Sequence, residues 1–406
     1  MLSVDFEKYE RLLKAVASMS RLYSDSSSPY LNSRFVEKLF VYTSTAKDFS
    51  RRDMSFDAQT ELGAGVGVKT FVANSFRTTK TEKVAEFTAD ATRGEFKGLP
   101  NDELAYKVAT FRNARVSSDA RIYEIDMEKS FYHCLVRAAD GCLIHEEPYS
   151  LIDVDNLKLE SRLDAPGNPK FSDGINNYTF SLSKNTLFKT FDLQRYQNSK
   201  VIEVTLIDDI FERLLHGAFG LADFVSPTNF NEPEDAASAA VLPHVILPLY
   251  STRTKQVAAR SGINQWNAEG REREFGEAYI PHPKEVRRRY PNFFPPKDET
   301  FTLRLPDGSQ MSAKVCQQDG KAIMSNPNSL LCDWLFRMID DSPAVSKARM
   351  ATGRAYTMED LLRVGRDSVK ISLVDEAKRI YELEPMPTGS FDTFLSSTAL
   401  PDDESD

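Results

Sequence analysis

Long apolar runs are missing from this chain of 406 residues. No stretch approaches the ~20 consecutive apolar residues needed to cross a bilayer, so the sequence predicts no membrane span. The first residues, MLSVDFEKYERLLKAV, carry acids where a secretory signal has a basic end and an apolar middle. Together these absences predict a cytoplasmic protein.

Cysteine is equally scarce, with four residues that form no CxxC pair. This is too sparse for a disulfide scaffold and fits a reducing compartment. His133, Cys134, Cys142 and His145 are close in sequence, but a hairpin turning at Asp140-Gly141 puts Cys134 and His145 on one face and the other two on the opposite face. Because a structural zinc ion needs four converging ligands, the segment favours buried cysteines and ordinary strand histidines over a zinc site.

A net positive charge is also lacking, since the formal charge is -9 at pH 7. This argues against a protein that coats nucleic acid by bulk electrostatics, although it allows a local basic face. Acids gather in NEPEDAAS and in the tail LPDDESD, whereas REREFGEAYIPHPKEVRRRYP is locally basic. The average charge therefore hides an asymmetry between segments.

What the chain does contain is the composition of a globular protein, 41% hydrophobic and 27% charged, at a length that predicts two or three domains. Helical spacing over residues 4–23, a second helix capped by Asn32, and short extended runs predict an N-terminal α/β lobe over residues 1–225. Turn formers and acids then predict a flexible linker over 226–243.

The texture changes after the linker to short apolar runs punctuated by Pro and Gly. This pattern predicts an all-β barrel or sandwich over residues 244–385, with a short helix near SLLCDWLFRMI. The last residues, 386–406, are predicted to be a disordered tail. The expected fold class is thus a two-domain α+β protein.

In the first lobe, Asp57 ends one extended run and Lys69 lies in the next, with a glycine-rich turn between them. Metal-assisted phosphodiester hydrolysis needs carboxylates for a divalent cation and a positive charge near the attacking water or the phosphate. Strand alternation puts Gly65 and Gly67 on the face of Lys69, where they would let a metal ion or phosphate approach the backbone. The structural alternative is that Asp57 caps a turn and Lys69 is an edge-strand lysine that prevents pairing with other chains.

The arrangement resembles the PD-(D/E)XK nuclease motif, in which an aspartate and a (D/E)-x-K tripeptide occupy adjacent strands. Gly67 stands two positions before Lys69, so the second acid must come from elsewhere. Glu86 is preferred because it lies in the apolar run EKVAEF, which predicts a neighbouring strand. Glu61 and Glu37 are the other candidates, and Glu37 is disfavoured because Phe35, Val36, Leu39 and Phe40 put it on the polar side of its predicted helix. The resemblance implies that Asp57 and Glu86 hold Mg²⁺ and that Lys69 orients the attacking water.

A histidine nucleophile is the rival chemistry, because phospholipase-D-type nucleases use a histidine with H-x-K spacing. His133, His145, His216 and His244 have no lysine two residues on, whereas His282 is followed at that spacing by Lys284. The segment YTFSLSKNTLFKTF does carry the lysines and hydroxyls of such a site. Its Lys184 and Lys189 are equally suited to contacting DNA phosphates without chemistry.

Hydrogen-bonding side chains are concentrated in two segments of the second lobe. Arg can pair bidentately with guanine, and Asn or Gln with adenine, in the major groove, whereas Lys and Ser favour phosphates. Two such segments projecting from a barrel would clamp DNA; the alternative is that the amides bond within turns. The predicted DNA-binding residues are Asn264, Gln265, Trp266, Asn267, Arg271, Arg273, Lys314, Gln317, Lys321, Ser325 and Asn326.

Three blocks within residues 246–375 carry a family resemblance: PLYSTRTKQVAARSGINQWNAEGREREFGEAYIPHP, FFPPKDETFTLRLPDGSQMSAKVCQQDGKAIMSNPN and GRDSVKI. They resemble the C-terminal DNA-recognition domain of restriction endonucleases, a pseudobarrel that also occurs in plant transcription factors. The resemblance implies seven strands and two arms that grip the major groove. By position, Asn264 to Arg273 corresponds to one arm and Lys314 to Asn326 to the other.

The same resemblance implies a type II restriction endonuclease that acts on double-stranded DNA and has a cognate DNA methyltransferase as its functional partner. Some relatives join this domain to a phospholipase-D-like nuclease, which keeps the metal-independent alternative open. Cutting both strands needs two active sites or two visits, so a homodimer is expected. A sequence-specific DNA-binding protein without catalysis is the alternative from another class.

Overall fold

The computed structural model describes residues 4–139, 141–160, 168–195, 199–215, 242–268, 276–340 and 342–397. The helices are α1 Phe6–Ser18, α2 Ser33–Ser44, α3 Asp90–Phe96, α4 Asn101–Tyr123, α5 Ile210–Leu215, α6 Lys284–Arg289, α7 Asn328–Ile339, α8 Pro343–Ala351, α9 Met358–Val364 and α10 Ser390–Ser397. The strands are β1 Lys47–Asp48, β2 Ala58–Gln59, β3 Ala64–Val72, β4 Thr79–Glu86, β5 Asp126–Ala138, β6 Gly141–Pro148, β7 Lys158–Leu159, β8 Lys170–Ser172, β9 Asn177–Ser181, β10 Thr186–Asp192, β11 Ser199–Ile202, β12 His244–Pro248, β13 Ile280–Pro281, β14 Thr300–Arg304, β15 Gln310–Cys316, β16 Ala322–Asn326, β17 Arg366–Asp375 and β18 Ile380–Pro387. None of the described helices is long and apolar enough to cross a bilayer.

The first sheet has the strand order β1-β2-β3-β5-β6-β11. Its strands pair antiparallel except β3 and β5, which run parallel with Lys69 opposite Cys134. Asp5 caps helix α1 by accepting the N–H of Lys8 with its carboxylate, and the side chain of Asn32 caps α2 as predicted. The apolar sides of both helices pack on one face of this sheet, in a core that includes Leu13, Phe40 and Val66.

A second sheet has the order β4-β10-β9-β8-β7. A separate core lies with α3, α4 and strands β8 and β9, where Phe96, Leu104, Phe171 and Phe180 are fully or almost fully buried. Strand β4 includes Glu82 to Glu86 of the run EKVAEF, so that run is a strand as predicted except for its last residue, Phe87. Strand β4 belongs to the second sheet and is not a neighbour of β3.

The third sheet has seven strands in the order β12-β17-β18-β14-β15-β16-β13, and it curls into a half-barrel. All its described pairs are antiparallel except β14 with β18, which is parallel. This confirms the seven strands implied by the family resemblance. The region is less purely β than predicted, because helices α6 to α10 lie between or after its strands and α7 buries Trp334 and Leu335.

The chain divides into two compact units, each made of several segments. Unit 1 comprises residues 1–83, 125–150 and 188–241, and unit 2 comprises residues 84–124, 151–187 and 242–406. These units cut the chain differently from the predicted lobes of 1–225 and 244–385, which stay a prediction. Most of the predicted linker, residues 226–241, lies outside the described residues.

Helix α4 is therefore part of the unit that contains the half-barrel. Asp119 accepts a hydrogen bond from Arg366 of β17 at 2.8 Å, and both side chains are at most 1% exposed. The Ser118 hydroxyl donates to the carbonyl of Met338 at 2.7 Å. The half-barrel is thus fixed to a helix that precedes it by more than a hundred residues.

The predicted disordered tail was wrong for residues 386–397. These residues complete β18 and form α10, where Phe391 is fully buried and Phe394 almost so. Two phenylalanines spaced three residues apart give this helix an apolar side that packs near β12 and β17. Residues 398–406 lie outside the described part of the chain.

Candidate active site and DNA interface

Asp57 stands immediately before β2 and turns its carboxylate onto β3. Its backbone N–H donates to the carbonyl of Val66 at 2.8 Å, and its Oδ2 accepts the N–H of Val68 at 2.7 Å. Burial raises the pKa of Asp57, the nearby charge of Lys69 opposes this shift, and the charge of Asp48 adds to it. The structure thus brings Asp57 and Lys69 together, as the sequence predicted.

The glycines beside Lys69 do not leave room for a metal ion or phosphate. A Cβ atom at Gly65 would lie 2.5 Å from the ring of Phe56, and one at Gly67 would lie 2.8 Å from the ring of Tyr132. The expectation of an open approach to the backbone was therefore wrong. The absence of side chains lets these aromatic rings pack directly on β3.

Glu37 of α2 is a carboxyl group whose pKa is affected by the charge of Asp57. Burial raises the pKa of Glu37, and the charges of Asp57 and Asp48 raise it further, while a hydrogen bond from Arg34 at 3.0 Å opposes the shift. Helix α2 packs against β1 and β3, and the effect of the Asp57 charge on Glu37 puts the polar flank that carries Glu37 in the neighbourhood of Asp57. The helical pattern identified that flank as polar but gave no sign of what it faces.

The other acids considered from the sequence lie elsewhere. Glu86 is exposed at the end of β4, in the second sheet and in unit 2, so the reasoning that placed it on a neighbour of β3 fails. Glu61 is exposed and accepts a hydrogen bond from the Thr45 hydroxyl at 3.0 Å. Glu82, earlier on β4, was missed; burial raises its pKa, whereas the charges of Lys80 and Lys69 lower it.

The acidic groups are oxygen donors, which suits a hard cation such as Mg²⁺. Within the described ranges, however, no group of three or more His, Cys, Asp or Glu side chains is placed to hold a metal ion. From the described part of the chain, an ion here would be held by two protein carboxylates at most.

The histidines and cysteines of the β5–β6 hairpin have structural partners. Cys134 pairs with His145, and His133 pairs with Glu146, which confirms the predicted division between the two faces. His133 bonds Glu146 at 2.8 Å and the Tyr9 hydroxyl at 3.1 Å. Burial raises the pKa of the Cys134 thiol well above its ordinary value.

Several buried polar side chains are linked by hydrogen bonds on the face of the first sheet opposite to that of His133. His145 bonds the Ser199 hydroxyl at 2.8 Å and the Glu147 carboxylate at 3.3 Å, and Glu147 also pairs with Lys189. Lys189 is 3% exposed, so it cannot contact DNA phosphates as one alternative supposed. Of the two lysines in that segment, only Lys184 is exposed.

In the first predicted arm, most of the described side chains that were expected to contact DNA are buried or hydrogen-bonded within the protein. Asn264 is fully buried; its amide donates to the carbonyls of Ala258 and Tyr356 and accepts the N–H of Tyr356, at 2.8–3.0 Å. A role in reading bases is therefore excluded for Asn264 in this conformation. Asn267 donates to the carbonyl of Ala259 at 3.0 Å. Gln265 and Trp266 are half-buried, while Arg271 and Arg273 lie outside the described residues.

The second predicted arm also contains both buried structural residues and exposed residues. Ser325 is 1% exposed, and its hydroxyl donates to the carbonyl of Pro327 at 2.7 Å and accepts the N–H of Leu331 at 3.0 Å. It is therefore a structural residue and not a phosphate contact. Lys314 lies 3.4 Å from Asp298, Gln317 is half-buried, and Lys321 and Asn326 are exposed.

Comparison with known families decides what the half-barrel is. Residues 243–375 match the family described as the NgoFVII C-terminal B3-like DNA-binding domain. The chain carries a B3-like DNA-binding domain of the restriction-enzyme kind. The match confirms the resemblance seen in the sequence and makes DNA a partner of the B3-like domain. It covers about a third of the chain, and no curated protein matches.

Proposed function

We propose that this chain is a type II restriction endonuclease that recognises a short duplex sequence through its B3-like domain and hydrolyses DNA with Mg²⁺ in its N-terminal part. The proposal is carried by one observation: the chain that contains a restriction-enzyme DNA-binding domain also places the half-buried Asp57 near Lys69. Perturbed acids beside a lysine are typical of catalytic sites, because catalysis needs shifted pKa values.

Asp57 and Glu37 are the residues that would hold Mg²⁺. Burial raises the pKa of both carboxyl groups, and a divalent cation would favour their charged forms. Mg²⁺ is commonly bound by one or two carboxylates together with waters and substrate phosphates. When bound, it would polarise a phosphoryl oxygen and lower the pKa of a bound water. The proposal thus moves the second ligand from Glu86 to Glu37.

Lys69 supplies the positive charge at this site. Its attraction lowers the pKa of both Asp57 and Glu82, so the ammonium group lies near two acids. In this role Lys69 donates hydrogen bonds to the attacking water or to a phosphate oxygen on which negative charge develops.

The histidine mechanism has less support. His133, His145 and His282 are buried and hydrogen-bonded within the protein, and His244 bonds the carbonyl of Leu242. A nucleophile must reach the phosphorus atom, so these four are poor candidates; His216 lies outside the described residues. A cognate methyltransferase, a second copy of this chain and a cytoplasmic location belong to the proposal as well.

The test is Asp57→Asn in the full chain, with Asp53→Asn as a control that removes an exposed acid from the same segment. Asp57→Asn should abolish Mg²⁺-dependent cleavage and leave DNA binding in EDTA unchanged. It should also raise the melting temperature in EDTA near pH 8, because the raised pKa of Asp57 means that its charged form destabilises the fold above the unfolded pKa. Full cleavage by Asp57→Asn would remove Asp57 from the mechanism.

A further inference from the structure

The loop between β15 and β16 is strained. Gln317 and Asp319 have φ angles of 67° and 57°, and Gly320 has a φ of 65°. Residues other than glycine rarely adopt these positive φ angles, and each such residue costs about 1–3 kcal/mol. A loop with two of them persists only where its surroundings hold it.

His282 and Arg287 hold this loop through its carbonyl groups. The N–H of His282 donates to the carbonyl of Lys321 at 2.9 Å, and its Nδ1 bonds the carbonyl of Gly320 at 3.0 Å. Arg287 donates through Nη1 to the carbonyl of Asp319, and through Nε to the carbonyl of His282 at 3.1 Å. Three consecutive carbonyls of the loop are therefore fixed by two side chains and one backbone N–H.

His282 is suited to this role because it stays neutral. Burial lowers the pKa of His282 to about 4; the hydrogen bond to Gly320 opposes this shift, and the nearby charge of Arg287 adds to it. At physiological pH its Nδ1–H therefore donates to the carbonyl of Gly320, and the loop does not depend on a titrating group.

The loop turns Gln318 and Lys321 to solvent, where both are exposed. A glutamine amide can bond N6 and N7 of adenine together in the major groove, whereas a lysine favours phosphate. Both contacts need a backbone whose position is fixed, since a bidentate pair tolerates little displacement.

We propose that His282 and Arg287 are positioning residues, which hold the Gln317–Lys321 loop so that Gln318 reads an A·T pair and Lys321 contacts a neighbouring phosphate. This rests on the DNA-recognition part of the proposed function and is independent of its nuclease part. Arg287 acts through the loop and not through its own charge.

The experiment is selection of bound duplexes from a random-sequence library by the full-length protein in EDTA, followed by sequencing. Four proteins are compared: wild type, Gln318→Ala, Arg287→Ala and Arg288→Ala. Arg288 is the matched control because it is the next residue of α6 and is exposed, so its loss removes the same charge without touching the loop. Melting temperatures establish that each variant is folded.

Wild type should enrich a motif that contains an A·T pair. Gln318→Ala should lose the preference at that pair alone, and Arg287→Ala should lose it there too, with a roughly 10-fold lower ratio of motif to random binding. Arg288→Ala should keep the motif and weaken all sequences equally, as loss of a phosphate contact does. The proposal is overturned if Arg287→Ala behaves like Arg288→Ala, or if Gln318→Ala keeps the full motif even where Arg287→Ala is unfolded.

Failure of the underlying function gives a different result. Wild type that enriches no motif would refute sequence-specific recognition, and this proposal with it. Wild type that enriches a motif and cuts nothing would refute only the nuclease part, and the comparison among the variants would still decide the role of Arg287.

Discussion

The buried ion pair between Asp119 and Arg366 leads to a strong prediction about unit 2, which contains the B3-like domain and is called the DNA-binding unit below. Asp119→Asn keeps the shape of the side chain but leaves the Arg366 guanidinium in the interior without its counter-charge. Both side chains are at most 1% exposed, and removing one partner of a buried pair costs about 3–5 kcal/mol. This is a large part of the ~5–15 kcal/mol by which domains are stable.

The assay is urea unfolding of the full chain, monitored by tryptophan fluorescence. The chain has two tryptophans, Trp266 and Trp334, and both belong to unit 2. With a slope of ~1–3 kcal/mol per molar urea, the transition of Asp119→Asn should move down by about 1–5 M. Asp102→Asn, an exposed change in the first turn of the same helix, should cost less than ~1 kcal/mol.

A compensating pair of changes tests the cause. Asp119→Leu together with Arg366→Met should recover much of the loss, because apolar residues often replace a buried ion pair without penalty. Equal transitions for Asp119→Asn and Asp102→Asn would refute the claim that α4 is an integral part of the DNA-binding unit.

Three further predictions concern single side chains. Glu37→Gln should reduce Mg²⁺-dependent cleavage at least ~100-fold and Glu86→Gln should leave it nearly unchanged, measured as initial rates on plasmid DNA; the reverse order would restore Glu86. Burial raises the pKa of Asp367 from 3.8 to about 6, so the free energy of unfolding falls as pH rises from about 4 to about 6 and the folded protein has to accept the charged carboxylate. Asp367→Asn should therefore be more stable than wild type by up to ~3 kcal/mol at pH 8 and equal to it near pH 4. Thermal melting at the two pH values measures this difference. Asn264→Ala should lower stability by ~2–4 kcal/mol without changing the ratio of specific to random DNA binding, because its three hydrogen bonds are internal.

Local patterns in the sequence predicted local structure well. The Asn32 cap, the register that sets Cys134 opposite His145, and the helix near Trp334 all depend on residues close in the chain. Period and turn chemistry act over such distances, so they can be read directly. The B3-like domain was recognisable because its blocks are continuous.

The site was harder to predict because burial depends on distant residues. Strand alternation gave the face of Gly67 correctly, but Tyr132, whose ring fills the space above it, lies 65 positions later. Asn264 and Lys321 look alike as hydrogen-bonding side chains, yet Asn264 is enclosed by the backbone of Tyr356 and Lys321 is exposed. Side-chain chemistry is visible in a sequence, whereas its exposure is not.

Helix α4 was missed as part of the DNA-binding unit for a related reason. It is buried on most sides, so it has no single apolar stripe that would indicate a partner. Its partners, Arg366 and the backbone of Met338, come more than two hundred residues later. Only the folded arrangement shows that the unit is discontinuous.

The central claim is tested most directly by incubating the full-length protein with mixed-sequence phage DNA, with Mg²⁺ and in parallel with EDTA, and by sequencing the ends of any fragments. Discrete fragments that share one end sequence, formed with Mg²⁺ and absent with EDTA, are the predicted result. Discrete fragments in EDTA would contradict the metal-dependent mechanism and favour a covalent nucleophile. Intact DNA in both reactions would contradict the nuclease function and leave a sequence-specific DNA-binding protein.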